Sequence, residues 1–172
     1  NLFYSRRIGG PPSHSPETEN NEIVTENPAS VDLYNATKIS GRTKGGLGIG
    51  YLNAITQKTY ATIKDTITQE MRRVLVEPLT NYNVLVFDQR FHENSSVTLV
   101  NTNTTRTGDF RDANATGLLW NISNKANTYS YYGNIKGSWV MEDGTKFGSR
   151  GTVGVGKFSG QNRFELLQIS SS

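Results

Sequence analysis

The chain has 172 residues, 34% of them hydrophobic, with a formal net charge of +3 and no cysteine. That length suits one domain or a large piece of one; the absence of cysteine excludes a disulfide framework and thiolate zinc sites, and so small a charge gives no reason to expect a nucleic-acid partner. A mean hydropathy of -0.53 without any apolar run near ~18 residues excludes a membrane helix but not a membrane strand, whose alternation averages to nearly neutral.

The first ten residues, Asn1 to Gly10, lack a long apolar stretch, so no secretory signal is expected at this start. Pro11, Pro12, Pro16 and Pro28 follow among Gly, Ser, Glu and Asn. Proline has no N–H for a sheet ladder, so residues 10–30 are expected to be a long loop, and residues 1–32 a polar, loop-rich segment. From Leu33 only Pro78 remains, and residues 33–172 read as strand hairpins. Leu47, Ile49 and Tyr51 alternate with Gly46, Gly48 and Gly50. Leu118, Trp120 and Ile122 oppose Leu119, Asn121 and Ser123. Tyr131, Ile135 and Trp139 oppose Tyr132, Asn134, Lys136 and Ser138, and Val153 and Val155 oppose Thr152, Gly154 and Gly156. Period two sends successive side chains to opposite faces of a strand. Asp65 to Val76 could form a helical face with Ile67, Met71 and Val74, although its Thr and Arg content suits a strand or loop equally.

Turn residues divide these runs. Asp143-Gly144 is a strong hairpin dipeptide, because both residues tolerate positive φ. Ser159-Gly160, Asn124 to Asn127, Glu93 to Ser95 and Lys44-Gly45 are weaker versions. They leave segments 46–56, 76–91, 95–106, 114–124, 127–141, 145–158 and 161–170, well above the ~5–6 residues usual in soluble sheets. A bilayer-crossing strand needs about 9–11 tilted residues, apolar toward lipid and polar or small toward the lumen. The expected fold is therefore all-β: an antiparallel meander of long strands forming part of a transmembrane outer-membrane β-barrel. Leu47, Ile49, Tyr51, Leu118, Trp120, Ile122, Ile135, Trp139, Val153 and Val155 would face lipid. A soluble β-sandwich alternates too and would offer Trp120, Tyr131, Tyr132 or Trp139 as sugar-stacking platforms.

Chemistry-bearing patterns are weak. The glycines after Lys44 alternate with apolar residues, whereas a phosphate cradle places its Lys after the glycines and opens a helix. His14 and His92 each stand alone, so neither a metal nor a cofactor is expected. No G-x-S-x-G elbow occurs. Glu77, Asp88, Glu93, Asp109 and Asp112 could serve as paired acids in a glycan hydrolase, but turn carboxylates are more often solvated, so an enzyme is not expected. Arg6 and Arg7 are candidates for an anion or lumen site.

Four ordered segments are more specific. Leu2-Phe3-Tyr4-Ser5-Arg6-Arg7-Ile8-Gly9 resembles the F-[FY]-S-R-R-I-G signature of a family of large Bacteroidota outer-membrane proteins. Ala36 to Thr43 is similar to that family's A-A-K-L-[ST]-G-[KR]-T strand. Gly48 to Thr56 continues the match, and Val76-Glu77-Pro78-Leu79-Thr80-Asn81-Tyr82 is similar to its V-E-P-L-[TA]-N-Y. Gly10 departs where the family often has Arg. Such proteins join an N-terminal carbohydrate-binding-family-9-like sandwich to a C-terminal β-barrel domain of unknown function. The resemblance implies an internal piece of the barrel in the bacterial outer membrane, acting as a pore, transporter component or surface scaffold for glycan or protein handling. Implied partners are membrane lipid, the rest of its own barrel or another outer-membrane protein, and glycan. It transfers no catalytic residue.

Overall fold

The computed structural model describes residues 8–92 and 94–172. Eleven strands make up these residues: β1 (Glu22–Glu26), β2 (Leu33–Arg42), β3 (Leu47–Thr56), β4 (Thr59–Asp65), β5 (Met71–Glu77), β6 (Thr80–Phe91), β7 (Ser95–Arg106), β8 (Asp112–Ser123), β9 (Tyr129–Met141), β10 (Thr145–Lys157) and β11 (Phe164–Ser171). Every ladder is antiparallel. Eight strands form one sheet in the order β11-β10-β9-β8-β7-β6-β3-β2, and β1-β4-β5 form a second. Neither sheet closes on itself. The large sheet ends in two open edges, β2 and β11, whose residues are exposed throughout.

Turn chemistry sets the hairpins. Asp143 and Gly144 both take positive φ, 44° and 123°, as the tight β9–β10 reversal requires. Gln69, His92, Gly108, Asn127 and Gly160 supply left-handed positions in other hairpin connections. Gly46 has φ 85° and lies in the β2–β3 turn, one residue before the strand on which the alternation had placed it.

The expected strand over 76–91 is broken at Pro78. Thr56 pairs with Thr80 and Thr59 with Glu77, so β3–β4 and β5–β6 are one long hairpin bent between the two sheets, with the register kept across the bend and shifted by one residue between Thr59 and Tyr60. Proline withholds a ladder donor there. The neighbouring groups find other partners: Gln57 N–H donates to the Asp32 carbonyl and Thr107 N–H to the Leu79 carbonyl. Beyond this elbow the segment Asp65 to Val76 is not a helix: residues 66–70 connect β4 to β5 through a turn, and residues 71–76 belong to β5. The Asp65 carboxylate accepts the Ile67 and Thr68 N–H groups, an Asx arrangement that competes with helix. The loop expected over 10–30 contains a strand, because Ile23 and Val24 pair with Lys64 and Ile63 on the open edge of β4.

Burial concentrates around the elbow and the small sheet. Ala54, Thr56, Val76, Pro78 and Thr80 are sealed there, with Ala61 and Ile63 on β4. The rest of the large sheet has no comparable core.

Candidate functional site

Register assigns every side chain of the large sheet to one of two faces. Ile39, Tyr51 and Leu85 lie in one row, and Ile49, Phe87, Leu99, Leu118 and Ile135 in the next. Leu47, Val97, Trp120 and Val153 share a third, with Gly133 between the last two. Ile122, Tyr131, Val155 and Leu166 share a fourth. All ten residues that alternation singled out therefore fall on the same face, with Trp139 further along β9 beside Phe147. Eight of the ten are 37–56% exposed, while Leu47 and Trp120 are half-buried, so none of the described residues covers this surface. Its only charged strand residues are Asp112 and Lys157, each at a strand terminus.

Aromatics and glycines interlock on this face. A Cβ at Gly133 would come within 2.5 Å of Trp120 Cζ2, so the indole depends on the missing side chain. Trp120 and Tyr131 rings lie 5.9 Å apart, and Trp139 and Phe147 5.1 Å apart. Trp120 Nε1 is buried and has no hydrogen-bond acceptor among the described residues.

Toward the elbow end the same face changes character. Asn53, Asn83, Asn103 and Asn114 form a single row across β3, β6, β7 and β8. Asn53 Nδ2 donates to Asn81 Oδ1 at 2.7 Å and Asn83 Oδ1 at 2.9 Å, and Asn101 Nδ2 donates to Asn114 Oδ1 at 3.1 Å. Sequence reading missed this amide row. Its signal was the N-x-N spacing at 81–83 and again at 101–103, which becomes a row only once the register is known.

The opposite face carries Lys38, Arg42, Arg90, Arg106, Lys136, Lys146 and Arg150 against Asp88 and Glu165. Seven bases face two acids. Asp88 is held by Arg42, and by Thr98 Oγ1 at 2.7 Å. Gly48 makes this possible, since a Cβ there would meet the Arg42 guanidinium at 2.8 Å. Glu165 accepts from the Tyr132 hydroxyl. Arg163 lies in the β10–β11 connection.

At the elbow, buried Glu77 accepts from Ser13 N–H at 2.7 Å, Ser13 Oγ at 2.5 Å and Thr80 Oγ1 at 3.4 Å. His14 N–H donates to the Val76 carbonyl, so the proline-rich loop is tied to the bend. A cleft of about 480 Å³ opens there between Ser13, Thr56, Glu77, Tyr82, Arg106 and Arg111. Asp112 accepts the Arg106 N–H. The acids proposed as pairs are thus each engaged separately at Glu77, Asp88 and Asp112; Asp109 is in a loop, and Glu93 lies outside the described residues. Arg6 and Arg7 also lie outside them. In the small sheet, Arg72 Nε and Nη2 grip Glu22 at 2.6 and 2.7 Å. Hydrogen bonding to Arg72 holds the Glu22 carboxyl at about 2, below its ordinary 4.5.

The chain is therefore an all-β protein with antiparallel sheets, an apolar face that none of the described residues covers and a basic polar face. It belongs to the family described as a domain of unknown function, DUF5916, whose model matches residues 1–172. No curated protein and no solved structure matches the chain.

Proposed function

We propose that the large sheet is a section of an outer-membrane β-barrel wall, its apolar face toward lipid and its basic face toward a wet interior. One observation carries the reading: large apolar side chains from all eight strands of the sheet share a face that no described part of the chain covers. In water, such a continuous patch is an aggregation liability or a binding surface. In a bilayer it is the required exterior. Strands β3 and β6 to β10 have 10–13 residues, enough to cross. On β9, Tyr129 and Trp139 stand ten positions apart on the apolar face. At ~3.4 Å per residue and a tilt of about 40°, that is roughly 26 Å of height, comparable with an apolar band bounded by aromatic girdles. The asparagine row lies toward the elbow end of the wall, where strands leaving the hydrocarbon can expose amides.

Hydrocarbon cannot satisfy open strand edges, so β2 and β11 must pair with further chain of the same protein or with another outer-membrane protein. The elbow and the small sheet then stand outside the bilayer as a folded extension of one hairpin. The role is that of a pore, transporter component or surface scaffold linked to glycan or protein handling. Detergent dependence tests the placement. Expressed in its native context, the protein should partition with the outer membrane and need detergent to stay dispersed; a monodisperse detergent-free preparation would contradict the reading.

The tilted Trp120–Tyr131 pair on an open face is the observation that favours a second reading, a soluble carbohydrate-binding module. Sugar-dependent tryptophan fluorescence, lost in Tyr131→Ala, would support it.

A further inference from the structure

On the polar face, Lys136 of β9 stands directly opposite Arg150 of β10. Like charges at cross-strand positions destabilise a sheet. The row continues through Gly117 on β8 and Ser171 on β11, and the diagonal positions carry Asn134, Ser138, Gly148 and Thr152. None of these is a carboxylate. The two acids of this face are already engaged, Asp88 with Arg42 and Glu165 with Tyr132. Neither Lys136 nor Arg150 forms an ion pair among the described residues. Lys146 adds a third base further along β10. Gly117 and Gly148 place no side chain of their own beside the pair.

We propose that Lys136 and Arg150 together bind the oxyanion group of a small solute, a phosphate or a carboxylate. The guanidinium fork matches two oxygens of either group, and the ammonium adds a point charge from the facing strand. The excess of seven bases over two acids gives the whole face a field that concentrates anions near the pair. The inference deepens the barrel reading, and rests on it for placing this face around an aqueous interior.

The test is calorimetric titration of the full chain in detergent micelles with inorganic phosphate and, separately, with glucuronate. Binding of at least one is expected; phosphate alone assigns the site to phosphorylated solutes, and glucuronate alone or both assigns it to carboxylates as well. Lys136→Gln and Arg150→Gln should each weaken binding at least tenfold, with Lys38→Gln unchanged. Lys136→Glu should abolish binding while raising the unfolding midpoint, because it turns a repelling pair into an attracting one. No binding of either probe, unchanged affinity in both glutamine variants, or a lowered midpoint in Lys136→Glu would overturn the proposal. Lipid contact is read from tryptophans on the opposite face, so failure of this site and failure of the barrel reading remain separable.

Discussion

Gly133 shows how one residue supports the apolar face. Trp120 lies where a Gly133 side chain would be, and two aromatic pairs extend the same surface. Gly133→Ala should destabilise the folded protein by about 1–3 kcal/mol, the usual cost of overpacking, measurable by denaturant unfolding in micelles. At the elbow, Ser13→Ala removes one of three donors from a carboxylate that is only 4% exposed. The expected cost is about 1–3 kcal/mol, with faster proteolysis in the proline-rich loop that Ser13 anchors. Alternation alone grouped the apolar residues of each strand on one side of that strand, because a period of two needs no partner to be read, and the register then brings all ten to a common face. The Lys136–Arg150 pair could not be read that way: two bases fourteen positions apart become neighbours only through the turn at Asp143-Gly144 and the register it sets.

Elements were legible where turn residues, strong or weak, bounded an alternating run. The segments expected at 95–106, 114–124 and 127–141 lie within two residues of β7, β8 and β9. β1 was not legible, since Glu22 to Glu26 is short and polar and exists as a strand only by pairing with β4. The small sheet likewise needed three-dimensional information, because Pro78 bends a hairpin whose pairing continues past the bend, from Thr56–Thr80 to Thr59–Glu77. An electrostatic clamp holds β1 to this sheet. Since the Glu22 carboxyl sits at about 2 when folded against an ordinary 4.5, its contribution is complete above pH 4.5 and is lost as the pH falls toward 2. Hydrogen exchange of the β1 amides should therefore accelerate across that window relative to β7, and Arg72→Ala should remove the difference.

At the scale of the whole molecule, the buried residues cluster at the elbow and the small sheet, and among the described residues many large apolar side chains of the large sheet are exposed. The barrel account makes the two faces energetically unlike. Ile122→Arg places a charge on the apolar face and should cost about 2–4 kcal/mol if the residue lies near mid-bilayer, whereas Leu119→Arg on the polar face should cost less than half as much, measured by reversible folding into lipid vesicles. Family membership over residues 1–172 fixes what this chain is similar to, and the location of its faces must be decided physically. Trp120 and Trp139, the two tryptophans of the sequence, both lie on the apolar face. Reconstituted protein in vesicles whose acyl chains carry bromine should show strongly quenched tryptophan emission and little quenching by aqueous iodide. Emission untouched by the brominated chains but quenched by iodide would place the apolar face in water and contradict the account.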